Sequence, residues 1–223
     1  MMIKKGENMA NICSNSLVFF STDKDAITKF KKFIEESDGT LDGMGEKLGL
    51  NTNDYEKWNE WVEENNDLVS KSNRVIPVHS FIIKTHSKWT PCTEAWEEIL
   101  TEYHKKNNLS EKLIDYFFVS EEPGEGIYVN TDTHGIFFTD RVKIEISYKG
   151  NWLDGIYLCS YDNEEVIEEI IDACSEVNIP EEIVNKALEN ALTGEGIDII
   201  CEYIKENGDY EIYVHFYDED YYV

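Results

Sequence analysis

Five histidines and five cysteines are the side chains of this sequence able to act as base, nucleophile or soft metal ligand near neutral pH. Cys13, Cys92, Cys159, Cys174 and Cys201 are odd in number and widely spaced, and no two form a C-x-x-C. Zinc sites and disulfide frames need paired or clustered cysteines, so these thiols read as small buried hydrophobes of a reducing compartment. His79, His86 and Cys92 are a conceivable ligand set, but two residues seven apart on an extended segment point to opposite faces. Cys13 or Cys92 as a nucleophile requires a base brought from elsewhere, His79, His86 or His134, and no local spacing supplies one. Asn130-x-Asp132-x-His134-Gly135 opens like a calcium loop, yet Arg141 stands where the bidentate Glu belongs, and the stretch reads as a hairpin turn. Gly39, Gly43, Gly45 and Gly49 lack the Gly-Lys-Ser/Thr of a phosphate loop. These residues predict no catalytic group, no metal site and no cofactor.

The carboxylates are different. The 223 residues contain 46 Asp and Glu against 20 Lys and Arg, a formal charge of −26. Residues 151–223 hold 20 acids and only Lys186 and Lys205 as bases, so −18 of the excess lies in the last third. Glu165, Glu168, Glu169, Asp172 and Glu176 recur at helical spacing opposite an apolar stripe containing Val166 and Ile170. Glu181, Glu182 and Glu189 add to the array, as do Asp218, Glu219 and Asp220. A solubilising surface mixes both signs. A row of one sign presents a field to a positively charged groove and imitates phosphates.

That charge excludes a direct grip on nucleic acid or an anionic membrane, each of which needs dense Lys and Arg. No apolar run of spanning length and no secretory pattern occurs, so the expected location is cytoplasmic. The 41% apolar and 13% aromatic content is enough to order a core.

The elements that must position these groups follow from periodicity. Residues 16–21 predict a strand, and Thr22 or Asp23 starts a helix with Ile27, Phe30, Phe33 and Ile34 on one face. Gly39 to Gly49 reads as loop, and Trp58, Trp61 and Val62 suggest a helix inside the acidic stretch 54–67. A strand over 75–83, a helix opening at Thr90-Pro91, and strands over 113–120, 127–130, 136–139 and 142–148 follow. Beyond Gly150 come a strand at 156–161, helices after Asp162 and Pro180, a third helical stretch at 197–204, and an alternating strand from Tyr210.

Met9-Ala10-Asn11-Ile12-Cys13-Ser14-Asn15-Ser16-Leu17, Trp89-Thr90-Pro91 followed by Trp96, and Glu121-Glu122-Pro123-Gly124 occur in the order seen in the YubB ferredoxin-like family of plasmid and phage proteins, which residues 9–148 resemble. The resemblance implies a split βαβ (ferredoxin-like) fold and a mobile-element context, and no catalytic residues. The expected architecture is α+β: an N-terminal extension at 1–8, a ferredoxin-like domain at 9–150 with a helical insertion at about 39–74, and an acidic strand–helix–helix–strand region at 151–223.

The expected function is non-enzymatic: inhibition of a basic host defence protein that binds nucleic acid, of anti-CRISPR or anti-restriction type, by nucleic-acid mimicry. The residues expected to meet it are Glu165, Glu168, Glu169, Asp172, Glu176, Glu181, Glu182, Asp218, Glu219 and Asp220. Two alternatives stand beside it. One is a hydrolase or nucleotide-modifying enzyme using scattered acids with His79 or His134, and the other is a structural accessory that oligomerises through a sheet edge.

Overall fold

A computed structural model describes residues 12–65, 69–72 and 77–219. The chain is mixed α/β and divides into two compact units, the first reaching Asp132 and the second running from Thr133 to Glu219. Among the described residues there are seven α-helices and two antiparallel sheets.

The first unit opens with β1 (Ile12–Ser21), whose residues Cys13, Asn15, Leu17, Phe19 and Ser21 are buried at alternate positions. Asp23 then caps α1 (Lys24–Glu35), its carboxylate accepting from the backbone N–H of Asp25 at 2.8 Å and of Ala26 at 3.1 Å. The Gly39–Gly49 stretch is not loop. It forms α2 (Leu41–Leu48), capped by Thr40 and burying Leu41, Met44 and Leu48. Its glycines permit close approach rather than flexibility: a Cβ on Gly45 would lie 2.8 Å from the Trp58 ring.

The helix expected over 54–67 is a single turn, α3 (Tyr55–Trp58), followed by β2 (Glu60–Asn65). Trp58 is buried in the core, while Trp61 pairs with His86 across the sheet, so spacing that suits a helix is shared between two elements. β3 (Val69–Ser72) and β4 (Pro77–Lys88) follow, and the strand start expected at Val75 lies outside the described residues, as do the extension 1–8 and Met9-Ala10-Asn11. Then come α4 (Thr93–Lys106), which begins after Pro91 with Cys92 as its cap residue, β5 (Asp115–Glu122) and β6 (Ile127–Asn130). The sheet order is β2–β4–β1–β5–β6, with β3 also on β4. Phe19, at the centre of β1, is opposite Phe81 and Tyr116 and packs on Phe30 and Trp96 with ring centroids 5.2 Å apart in each case.

The second unit contains β7 (Val142–Tyr148), β8 (Asn151–Trp152), β9 (Ile156–Leu158), α5 (Asn163–Ala173), α6 (Glu181–Glu189), a 3-10 turn, α7 (Glu195–Asn207) and β10 (Tyr210–Phe216). Its sheet runs β10–β7–β8, with β9 also on β7. The boundary expected at about 150 falls in the turn between β7 and β8, because β7 finds its main partner in β10 rather than in the first sheet. Residues 136–139, expected as sheet, form no strand. Val142, Ile144 and Ile146 of β7 pack with Val166, Ile167, Ile170, Ile200 and Ile204 of the helices in one core. No helix among the described residues is long and apolar enough to cross a membrane.

Candidate functional site

α5 begins at Asp162, whose carboxylate accepts from the Glu164 backbone N–H at 3.0 Å. Burial of Val166, Ile167 and Ile170 fixes which face turns outward. Glu165, Glu168 and Asp172 are exposed and Glu169 is half-buried. Among the described residues none of these four carboxylates has an ion-pair partner. Glu181 and Glu182 are exposed in the first turn of α6.

Part of this acidity is ordinary helix chemistry. Glu164 and Glu165 on α5, and Glu181 and Glu182 on α6, sit where the positive end of the helix dipole favours them. The C-terminal turn of α5 has no such explanation. Every other α-helix described carries a basic residue in its last turn, whereas α5 carries none and places Asp172 there.

The remaining acidic positions are not equivalent. Glu176 accepts a hydrogen bond from the Tyr148 hydroxyl at 2.9 Å, which ties it to the sheet. Glu219 lies beside Tyr161, just before α5, so burial and this carboxylate push the phenol up. Asp218 is exposed nearby in sequence, and Asp220 lies outside the described residues.

The first unit holds a second constellation that the sequence did not single out. At one end of the helix-covered face of its sheet, polar side chains replace apolar ones. Asn15 donates to Ser87 Oγ at 3.0 Å and accepts from Ser120 Oγ at 2.7 Å and from Cys13 Sγ at 3.3 Å. Beside them Glu60 is 3% exposed, accepting from Trp96 Nε1 at 2.9 Å, the Cys92 backbone N–H at 3.2 Å and the Thr85 hydroxyl. Burial pushes its carboxyl above the usual range, partly offset by those three donors. Burial and the Glu60 charge push the Cys13 thiol up to about 12, and the Cys92 thiol up as well. Cys13 donates to Asn15 and Cys92 to the Glu56 carbonyl, so no imidazole activates either thiol. The cavity lined by Asn15, Glu60, Cys92 and Ser120 measures about 10 Å³, room for about one water.

Cys13, Asn15 and Trp96 of this cluster lie in the stretches that carry the resemblance, and all three are buried. Glu60 ties β2 to the start of α4 through the Cys92 N–H and the Trp96 indole. A lone Glu between two Trp residues gave no signal of that, since charge ordinarily marks a solvated face.

The histidines do not converge. His79 and His86 lie on opposite faces of β4, and His86 Nε2 is 2.7 Å from Glu63. His134 Nδ1 is 2.7 Å from its neighbour's hydroxyl, Thr133 Oγ1. His104 is 5% exposed and its Nε2 accepts from the Ile114 backbone N–H at 3.2 Å. Burial holds its imidazole below the ordinary value. It borders a depression of about 630 Å³ lined also by Glu97, Glu111, Lys112 and Asp115. Among the described residues no group of three or more His, Cys, Asp or Glu is placed to hold a metal ion. The sequence matches no protein-family model, and no curated protein matches it either.

Proposed function

We propose that the chain is a non-enzymatic acidic binding protein whose α5–α6 face occupies the basic, phosphate-binding groove of a nucleic-acid-handling protein. The observation that carries this reading is the unpaired carboxylate row of α5, continued into a C-terminal turn where the helix dipole opposes it. From Glu164 to Asp172 five carboxylates share a rise of roughly 12 Å, about 3 Å per charge. One strand of DNA presents a charge about every 3.4 Å. Helix and nucleic-acid strand therefore offer a groove similar linear charge density.

The order β2–β4–β1–β5, antiparallel throughout, with α1 leaving β1 and α4 joining β4 to β5, supports a split βαβ (ferredoxin-like) reading of the first unit. On that reading α2 and α3 are the insertion and β6 is an added strand. The YubB-like resemblance, and the mobile-element context it brings, point to a host defence effector as the groove's owner, of the restriction or CRISPR kind. The hydrolase alternative gains no support from the first unit's polar cluster, whose thiols are buried and unactivated and whose cavity fits about one water.

The test is capture of bacterial nucleic-acid-binding proteins on the immobilised chain, elution by rising salt, and competition of the captured protein with duplex DNA. Glu165, Glu168, Glu169 and Asp172 changed together to Lys are expected to abolish capture and competition. Retention that ignores both salt and this reversal refutes the mechanism.

A further inference from the structure

β10 closes one edge of the second sheet, and among the described residues no strand pairs with its outer side. Long open edges invite pairing, and proteins ordinarily protect them with Lys, Pro, bulges or short length. β10 has seven residues, no Lys, no Pro and an unshifted register with β7. Its edge bears exposed aromatic rings: Tyr213 is 48% exposed and Phe216 41%. Trp152, 60% exposed, lies 5.9 Å from the Tyr213 ring.

The backbone phase of this edge can be read from its flanks. The Lys149 N–H donates to Asp209 O at 2.8 Å, and the Tyr217 N–H donates to Arg141 O at 2.9 Å. Both pairs continue the β7–β10 register, so odd-numbered residues of β10 turn their backbone groups toward β7. The N–H and C=O of Tyr210, Ile212, Val214 and Phe216 therefore face the open side.

We infer that this edge takes a second copy of the chain, pairing β10 with β10 in antiparallel fashion about a two-fold axis at Tyr213. In that register Ile212 faces Val214 of the second copy and Tyr210 faces Phe216, all pairs whose backbone groups point across the seam. Tyr213 meets Tyr213 at a non-hydrogen-bonded position, where opposed side chains come closest. Glu211 stands opposite His215, so the carboxylate and the imidazole of the strand complement each other. Shifting the axis by one residue to Ile212 forfeits the Glu211–His215 match and leaves Phe216 unpaired. The strand is chemically self-complementary about its own midpoint, and this identifies the occupant as another copy. His215 also lies 3.2 Å from Glu145 of β7, so in the dimer the imidazole sits between two carboxylates.

Two copies at −26 each repel, so this association strengthens as salt rises. The charge-mimicry contact weakens under the same change, which keeps failure of one reading distinct from failure of the other. Sedimentation velocity of the full chain across a concentration series, from about 0.05 M to about 0.5 M salt, is expected to show a monomer–dimer equilibrium that shifts toward dimer with salt. Glu211→Lys removes two cross-strand carboxylate–imidazole contacts and is expected to raise the dimer dissociation constant by about tenfold, although it lowers the net charge. Glu206→Lys makes the same charge change off the edge and is expected not to weaken the dimer. Val214→Pro removes an N–H that points across the seam and not to β7, and is expected to leave a folded monomer by circular dichroism. A chain that stays monomeric at the highest concentration and salt, or a dimer indifferent to both Glu211→Lys and Val214→Pro, overturns the proposal.

Discussion

Asp172→Lys separates a face kept for a partner from one that merely solubilises. Asp172 lies in the last turn of α5, four residues after Glu168 and three after Glu169. Each such like-charge pair costs about 0.2–0.5 kcal/mol, and a Lys at the later position turns it into attraction of similar size. The C-terminal helix dipole adds about 0.3–1 kcal/mol in the same direction, at the low end for an exposed group. The sum is a gain of about 1–2 kcal/mol. Hydrogen exchange reads this locally: α5 amides that exchange by opening of the helix should be protected about 5–30-fold more strongly at low salt. The gain should shrink at high salt as screening removes both contributions. In the same variant, capture of the basic partner should weaken. A helix that gains no protection, or gains it equally at all salt concentrations, refutes the claim that α5 holds its carboxylates against its own stability.

Glu60→Ala strands the Trp96, Cys92 and Thr85 donors and should cost about 2–4 kcal/mol of stability by urea unfolding, whereas Glu60→Gln retains an acceptor and should cost far less. Because burial raises the Glu60 carboxyl, the folded state binds its proton more tightly than the unfolded state does. Stability should therefore fall as pH rises from the ordinary carboxylate range through the folded value, and Glu60→Gln should remove that slope. His104 has the opposite sign: burial lowers its imidazole from 6.5, so stability should be lost as pH falls through 6.5, and His104→Gln should flatten that limb of the urea midpoint profile. Cys159 is the one exposed thiol, and a thiol-reactive chromophore should label it rapidly in the native chain, with half-buried Cys201 labelling more slowly and Cys13, Cys92 and Cys174 only on unfolding. Gly196→Ala drives a Cβ into the Ala187 carbonyl oxygen, and should destabilise the second unit by about 1–3 kcal/mol in thermal unfolding.

Much of the local structure is legible in periodicity. β6, β7, β10 and the starts of α5 and α6 lie where alternation and capping residues put them, because each signal is short-range and unopposed. α2 was hidden by glycines that look like loop but make room for Trp58. β2 was hidden because Trp58, Trp61 and Val62 fit a helical stripe as well as a turn followed by a strand. The compact units divide after Asp132, and the pairing of Val142 with Phe216 that joins β7 to the second unit is invisible to any local window. For the acidic site, the apolar stripe of α5 fixed the exposed face in advance. The absence of a cation from its last turn acquires meaning only beside the other helices. Glu60 and His104 were missed because polar burial depends on partners distant in sequence.

The pairing of β7 with β10 also orders events in time. During synthesis β8 and β9 follow β7 closely and can pair with one of its edges, but its other edge, the one β10 takes, stays open until residues 210–216 follow. At about 5–20 residues per second that wait is roughly 3–14 s, during which one edge of an apolar strand is open to pairing with neighbouring nascent chains. The stretch made in the interval is the most acidic of the sequence, with Lys186 and Lys205 as its only bases between residues 151 and 209. Mutual repulsion between such segments holds unfinished chains apart until β10 arrives. Neutralising α5 should therefore lower the soluble yield of newly made protein even where it stabilises the finished fold.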